Sequence, residues 1–178
     1  MQKILFLLLA AIAFTSCNTG GTATTDATKD SASSTAGGPM NYPYTIDHPD
    51  NWNIGSNANT MIALSALKAF ENGDVAGSMK YFGDSVHLQF DALDKKLPAD
   101  SMQAMLIAQR ASYKSLEIKM NDWESVISKD KEEEWVTLWY REKWEDMKGN
   151  KDSLDVIDDL KIKDGKIIRL GEFSRKLH

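Results

Sequence analysis

The sequence has only one cysteine, and it has no cluster of basic residues. Cys17 is the only cysteine, which excludes an internal disulfide and a metal site made of several cysteines. Lysines and arginines are scattered along the chain, and the formal net charge is −5. Because nucleic-acid binding needs a basic face or stripe, we expect no nucleic-acid partner.

Sequence motifs of the common enzyme classes are absent as well. The chain shows no internal repeat, phosphate-binding glycine loop, dinucleotide fingerprint or Ser/His/Asp arrangement. Its histidines and carboxylates do not converge with metal-ligand spacing. One acidic group lacks the regular spacing and central glycine of a calcium loop, and it consists of Asp152, Asp155, Asp158 and Asp159. We interpret these aspartates as solvated charges, and we expect no metal and no cofactor.

Residues 1–16 have the layout of a secretory signal that ends at a cysteine. A basic start precedes an apolar run at residues 4–13, which is too short to span a bilayer permanently. The small residues before Cys17 resemble the lipobox of bacterial lipoproteins, which implies cleavage after residue 16 and a lipid on Cys17. The same resemblance implies a diacylglyceryl group on the Cys17 sulfur and a further acyl chain on its amine, and three acyl chains would exceed the two signals needed for stable anchoring. Asn18 at the next position favours the outer membrane, facing the periplasm of the cell envelope.

Two further segments separate this signal from a folded domain. After the lipidated Cys17, residues 17–40 are almost entirely Thr, Ser, Ala and Gly. Such a composition cannot bury enough apolar surface to fold, so it predicts a disordered linker. Residues 41–55 contain two prolines and several aromatics, including Trp52, and predict an extended arm. The globular domain is expected at residues 56–178.

Helices are predicted in the first half of this domain by apolar residues spaced three or four positions apart. The stripe of the first helix consists of Met61, Leu64, Leu67 and Phe70. Gly73 ends that helix, and Asp74 is the N-cap of a short second helix that reaches about residue 82. A third helix begins after Pro98, and one of its faces consists of Met102, Met105, Leu106, Gln109 and Tyr113.

Strands are predicted where apolar and polar residues alternate. In the first strand, at residues 84–90, the apolar face carries Val86, Leu88 and Phe90, and the other face carries Ser85, His87 and Gln89. The later strands are predicted at residues 116–120, resuming at about 123–127, and at 134–144, 154–162 and 166–173. Turns are predicted at Gly149-Asn150 and Asp164-Gly165.

The order of these elements is an α+β pattern, in which the helices must pack on one concave face of the sheet. The segments Ala69-Phe70-Glu71-Asn72-Gly73-Asp74 and Tyr81-Phe82-Gly83-Asp84-Ser85-Val86, with the final hairpin, resemble the NTF2-like (SnoaL-like) domain family. The resemblance covers about residues 56–173. It implies a cone in which N-terminal helices pack in the concave face of a curved antiparallel sheet, with a pocket at the open end. That fold serves isomerases, cyclases, epoxide hydrolases and dehydratases, so it does not set the function by itself.

The candidates for catalysis are few. The resemblance to ketosteroid isomerases implies an acidic base near the end of the first strand, but that position falls at Gln89, which cannot take a proton. Asp91 lies two residues further on. His87 is the one histidine in the domain body and could act as a general base near neutral pH, or it could lie at the surface of the sheet. The weak catalytic candidates are therefore His87, Asp91 and Glu142, with Tyr140 in support.

The strand at residues 134–144 carries large aromatic side chains on both faces. One face consists of Trp135, Thr137, Trp139, Arg141 and Lys143, and the other of Val136, Leu138, Tyr140, Glu142 and Trp144. One face must turn inward, because so many aromatics are not left in water. The candidate ligand-binding residues are Trp135, Trp139, Tyr140, His87 and Gln89. The alternative is core packing on one face and a dimer contact on the other.

Three functions are compatible with these features. The first is a membrane-anchored module that binds a small apolar ligand or a protein partner. The second is a SnoaL-like enzyme of the isomerase, cyclase or hydratase type with an acid and a base in its pocket. The third is a homodimer formed through the outer face of the sheet.

Overall fold

The computed structural model describes residues 42–45 and 52–177, so the predicted signal, Cys17 and the linker lie outside the described residues. The described elements, in chain order, are β1 (Trp52–Ile54), α1 (Asn57–Glu71), α2 (Val75–Met79), β2 (Phe82–Phe90), β3 (Leu93–Pro98), α3 (Ala99–Ala111), β4 (Tyr113–Ser128), β5 (Glu134–Asp146), β6 (Lys151–Lys163) and β7 (Lys166–Lys176). None of these helices is long and apolar enough to cross a membrane.

All the described strands belong to one sheet, in the order β1-β4-β5-β6-β7-β2-β3. Neighbouring strands are antiparallel except β2 and β7, which run parallel. Gly149 turns the chain between β5 and β6 at φ 88°, and Asp164 and Gly165 turn it between β6 and β7 at φ 52° and 71°. Glycine and aspartate tolerate this left-handed region better than most residues. Both predicted turns are confirmed.

Helix α1 is held at both ends by side chains. At its start, the Ser56 hydroxyl accepts a hydrogen bond from the Ala58 N–H at 3.1 Å. At its end, Arg110 of α3 donates to the carbonyls of Phe70 and Glu71, at 3.2 Å each. These bonds satisfy backbone groups that a helix end leaves unpaired, and they fix α1 against α3.

Three residues of the predicted stripe of α1 face the interior, since Leu64 and Leu67 pack on the core and Phe70 lines a cavity, but the most buried positions are two alanines. Ala63 and Ala66 are 1% and 3% exposed, whereas Met61 is 60% exposed. Alanine lets a helix approach a sheet closely, but it adds too little hydrophobicity to stand out in a periodic pattern. The helix is confirmed, but the placement of Met61 on its buried face was wrong.

After α1, the structure has a shorter second helix than predicted and one additional strand. Asp74 caps α2 as expected, its carboxylate accepting from the Gly77 N–H at 2.7 Å, but α2 ends at Met79. Strand β3 was not predicted. Asp91, at φ 48°, reverses the chain so that β3 pairs with β2. Strand β3 lies at the edge of the sheet and is rich in charge, which is a common protection of an edge but hides the alternation of a strand.

Strand β4 is continuous, whereas the sequence predicted a strand that is interrupted after residue 120 and resumes at about residue 123. Its register with β5 shifts between Met120 and Asp122, as at a β-bulge, where one extra residue bends a strand. The shift also reverses which residues face inward, so Ile118 and Trp123 lie on the same side. The alternation is therefore interrupted although the strand continues. The other end of β4 pairs with β1, which contains Trp52 of the predicted arm.

The hydrophobic core fills the space between the helices and the inner face of the sheet. Its larger cluster joins α1 to β5, β6 and β7, and consists of Ala63, Ala66, Val136, Leu138, Tyr140, Val156, Leu160, Ile162 and Ile167. A smaller cluster joins β2 to α3 and consists of Val86, Leu88 and Met102. The fold class is α+β, as predicted, with a curved open sheet.

A candidate ligand-binding cavity

A cavity lies where the two core clusters meet, bounded by the three helices and by the inner face of β2, β5, β6 and β7. Its volume is about 120 Å³, far more than the roughly 10–15 Å³ that one water molecule requires. Most of its surface is apolar, and its walls include Leu67, Phe70, Leu88, Met105, Leu138 and Leu170.

One wall of this cavity is polar. It consists of Tyr140 and Glu142 on β5, Asp158 on β6 and Glu172 on β7. These side chains share the inner face because alternate residues of a strand point the same way. The strand register places Asp158 opposite Leu138 on one side and opposite Glu172 on the other. We call Tyr140, Glu142, Asp158 and Glu172 the acidic wall.

Asp158 is the buried centre of the acidic wall. The residue is 6% exposed, and its Oδ2 accepts a hydrogen bond from the Tyr140 hydroxyl at 2.9 Å. Its Oδ1 is buried and has no hydrogen-bond partner among the described residues. Burying a polar atom without a partner is costly, and native structures do so rarely. Oδ1 is therefore the atom of the cavity that is best placed to form a hydrogen bond with a ligand.

The surroundings of the acidic wall favour protonated carboxyl groups. Burial, followed by the nearby Glu172 carboxyl, raises the pKa of Asp158 well above its ordinary value, against the opposing effect of the Tyr140 hydrogen bond. Burial also raises the pKa of Glu172. Burial and Glu172 together raise the pKa of Glu142 from 4.5 to about 7. Glu142 is thus able to gain or lose a proton near neutral pH.

The Tyr140 hydroxyl serves as a hydrogen-bond donor in this wall. Burial and the Asp158 carboxyl raise the pKa of Tyr140 well above its ordinary value, so the phenol keeps its proton. A protonated Asp158 would be a second donor to a ligand oxygen, with Glu142 as the group that exchanges protons. No group of three His, Cys, Asp or Glu side chains within residues 42–45 and 52–177 is arranged to hold a metal ion.

The residues predicted to bind a ligand lie in different places. Tyr140 lines the cavity, as does Glu142. Trp135 and Gln89 instead line an open cleft on the outer face of the sheet, which shares Phe90 and Glu172 with the lining of the cavity. Trp139 also lies outside the cavity, on the strand face opposite Tyr140, where it pairs with Ile157 across the strands. The inward face of β5 is therefore the one that carries Tyr140.

The ring of Trp135 is already engaged by neighbouring protein groups. The Lys161 Nζ and the Arg169 guanidinium lie 5.5 and 5.3 Å from its ring centroid, within the range of cation–π contacts. Its indole N–H donates to Glu133 at 3.0 Å. These contacts give Trp135 a structural role on the outer face.

The other two catalytic candidates do not line the cavity. His87 lies on the outer face of β2, where its Nε2 is 2.5 Å from Asp94 Oδ1. Hydrogen bonds from His87 and from Gln89 lower the pKa of Asp94. Asp91 occupies the turn after β2. Of the catalytic candidates, only Glu142 lies in the acidic wall, and its role stays a prediction.

Sequence reasoning missed Asp158 and Glu172. The interpretation of Asp158 as a solvated charge was wrong, because the residue is buried. A signal was present: the inner face of β6 reads Leu154, Val156, Asp158, Leu160 and Ile162, a single acid within an apolar row. Glu172 follows Leu170 on β7 in the same way. Asp155, in contrast, faces outward and accepts from Arg141 at 2.8 Å.

Comparison with known proteins finds similarity in structure but not in sequence. No family model and no curated protein matches the chain. AusH from Aspergillus nidulans superposes with a TM-score of 0.57 at 16% identity, covering 71% of this chain and 89% of that one. An LEH-like epoxide hydrolase from M. tuberculosis gives 0.53 at 13% identity, covering 67% and 84%. An NTF2-like protein of unknown function from Exiguobacterium sp. 255-15 gives 0.53 at 12% identity, covering 65% and 99%.

Identities this low show the fold alone. The domain has the NTF2-like fold, which confirms the predicted cone of helices packed in a curved antiparallel sheet. The similar structures include an epoxide hydrolase and a protein of unknown function, so the activity must be argued from the cavity itself.

Proposed function

We propose that this NTF2-like domain binds a small, largely apolar molecule in its interior cavity, and that a lipid on Cys17 holds the domain at the bacterial outer membrane. The observation that carries the binding proposal is Asp158, which is buried at the cavity with Oδ1 unpartnered by the described residues. The apolar walls would enclose the body of the ligand, and the acidic wall would orient its polar group. Small-molecule pockets commonly combine apolar walls with a few polar groups that orient the ligand.

A thermal-shift screen of the full chain against a metabolite library tests the binding proposal. A ligand present at about one hundred times its dissociation constant adds roughly 2.7 kcal/mol of stability. We expect Ala66→Leu, which extends a larger side chain into the cavity, to abolish the shift. Ala111→Leu makes the same change at an exposed position of α3 and should leave the shift intact.

The same screen separates the cavity from the outer face. If hits survive Ala66→Leu but disappear in Trp135→Ala or Trp139→Ala, the ligand binds on the outer face and the cavity proposal is wrong. A library without any hit would also count against a small-molecule function.

The second candidate function is an enzyme of the isomerase, cyclase or hydratase type. It is favoured by Glu142, a cavity residue whose pKa is raised to about 7 by burial and by the Glu172 carboxyl, as suits a general acid or base at neutral pH. Mass spectrometry of the screen's hits after incubation with the protein would detect turnover. We expect Glu142→Gln to abolish turnover and the exposed Glu117→Gln to retain it. Hits that are recovered unchanged would favour binding without catalysis.

The membrane anchor is tested separately, by fractionation. Cys17→Ser removes the sulfur that would carry the lipid, so we expect the protein to move from the membrane fraction to the soluble fraction. A variant that stays with the membrane would show that the chain is held there by something other than a lipid on Cys17.

A further inference from the structure

We propose that the molecule held in the interior cavity is an organic amine, with a compact apolar body and one protonated nitrogen. The inference rests on the proposed function, because it names the chemical class of ligand for the same cavity. It follows from two features: three carboxyl groups meet at one wall, and none of the described residues that line the cavity is Lys, Arg or His.

When its carboxyl groups are ionised, the acidic wall has more hydrogen-bond acceptors than donors, and a bound cation favours the ionised form by opposing the effect of burial. Asp158 Oδ1 is buried without a partner among the described residues. Among the described residues, no hydrogen bond shifts the pKa of Glu142 or Glu172; burial raises both, and the Glu172 carboxyl raises that of Glu142 further. The Tyr140 hydroxyl already donates to Asp158, and the Ser78 hydroxyl donates to a backbone carbonyl of α1 at 2.8 Å. An alkylammonium group supplies three N–H donors and no acceptor, which is what this wall lacks.

The described residues that line the cavity also carry no positive charge, although arginines lie on neighbouring elements. Arg110 of α3 donates to backbone carbonyls at the end of α1. Arg169 of β7 lies on the outer face and donates to Gln89 at 2.7 Å. The titratable groups that face the cavity are the four of the acidic wall, and the lining residues of the helices and of β2 add none. A bound cation would offset the repulsion among these carboxyl groups.

The size and arrangement of the cavity point to an organic cation instead of a metal ion. No three described carboxylate, histidine or cysteine side chains are placed to hold a metal. The volume of about 120 Å³ is close to that of cavities of roughly 150 Å³ that hold benzene, and most of the lining is apolar. The ligand should therefore resemble benzylamine in size and polarity.

Calorimetric titration of the purified full chain at pH 7 with benzylamine and with benzyl alcohol tests the proposal. The two probes have nearly the same shape and differ in charge. Because hydrogen bonds to charged groups contribute more than neutral ones, benzylamine should bind more tightly by roughly 10- to 100-fold. Glu172→Gln should lower the affinity for benzylamine by roughly tenfold and leave that for benzyl alcohol nearly unchanged. The exposed Glu117→Gln is the matched control, and circular dichroism shows whether each variant is folded.

The outcomes separate this inference from the function on which it rests. Equal or tighter binding of benzyl alcohol would overturn the amine proposal while supporting a small-molecule cavity. Loss of both probes in Glu172→Gln, with the fold intact, would show that the carboxyl acts through shape and not charge, and would overturn it too. If neither probe binds, the amine proposal fails, and the library screen decides the proposed function independently.

Discussion

Replacing Glu142 by glutamine is expected to stabilise the folded protein at neutral and alkaline pH. Burial and Glu172 raise the pKa of this carboxyl from 4.5 to about 7. A carboxyl whose pKa is higher in the folded than in the unfolded chain supports the fold fully below pH 4.5, and this support is lost as the pH rises to about 7. Above that pH, the wild-type protein holds a charge that its surroundings disfavour, whereas glutamine has the same shape and never ionises.

The size of the effect follows from the pKa difference. One pKa unit corresponds to about 1.4 kcal/mol, so a rise from 4.5 to about 7 corresponds to about 3 kcal/mol. Relative to the wild type, Glu142→Gln should therefore raise the free energy of unfolding by about 3 kcal/mol more at about pH 8 than at about pH 4. The substitution also removes the part of the rise in the Asp158 pKa that comes from Glu142, which acts in the same direction.

Urea unfolding of the full chain, followed by tryptophan fluorescence at both pH values, measures this difference. Glu117→Gln removes the same charge from an exposed position of β4, and it should change the unfolding free energy by less than about 0.5 kcal/mol at either pH. The reasoning is refuted if Glu142→Gln has the same effect at both pH values, or if it destabilises the protein more at high pH.

Three further substitutions test the packing around the cavity and the hairpin. Tyr140→Phe removes the hydrogen bond to the buried Asp158 and should cost about 1–3 kcal/mol in urea unfolding; an unchanged midpoint would mean that this bond is not formed in solution. Leu138→Ala removes a side chain that is 0% exposed and should cost about 2–5 kcal/mol, whereas Met147→Ala, at 69% exposure, should cost less than about 0.5 kcal/mol. Gly165→Ala forces a Cβ into a turn at φ 71° and should lower stability by about 1–2 kcal/mol; no loss would show that the turn rearranges freely.

The sequence predicted the elements whose signals are local. The alternation of apolar and polar residues predicted β2 and β5. Gly149 and Gly165 predicted the two hairpin turns, because such turns need a left-handed backbone. The sequence patterns did not predict the inward-facing residues where packing against other elements decides which side chains are buried. Ala63 and Ala66 are the most buried apolar residues of α1, where a larger side chain would have marked the face more clearly, and a bulge in β4 reverses the alternation within a continuous strand.

The cavity could be predicted only in part, since it is assembled from distant segments. Tyr140 and Glu142 were among the candidates, but which face of β5 turns inward depends on how the helices pack. Trp135 and Trp139 were predicted to bind a ligand because they are large aromatic residues, but they lie on the outer face of the sheet. Asp158 was hidden among neighbouring aspartates, although its apolar neighbours at alternate positions marked it as inward-facing. The predicted homodimer and outer-membrane location stay predictions.

Methyl NMR of the full chain during titration with a hit from the library tests the interior cavity most directly. The cavity predicts that the methyl resonances of Leu138, Leu160 and Leu170 shift with the ligand, while the indole resonances of Trp135 and Trp139 stay in place. Shifts confined to the two indoles, with unchanged leucine methyls, would contradict binding in the cavity and place the ligand on the outer face of the sheet.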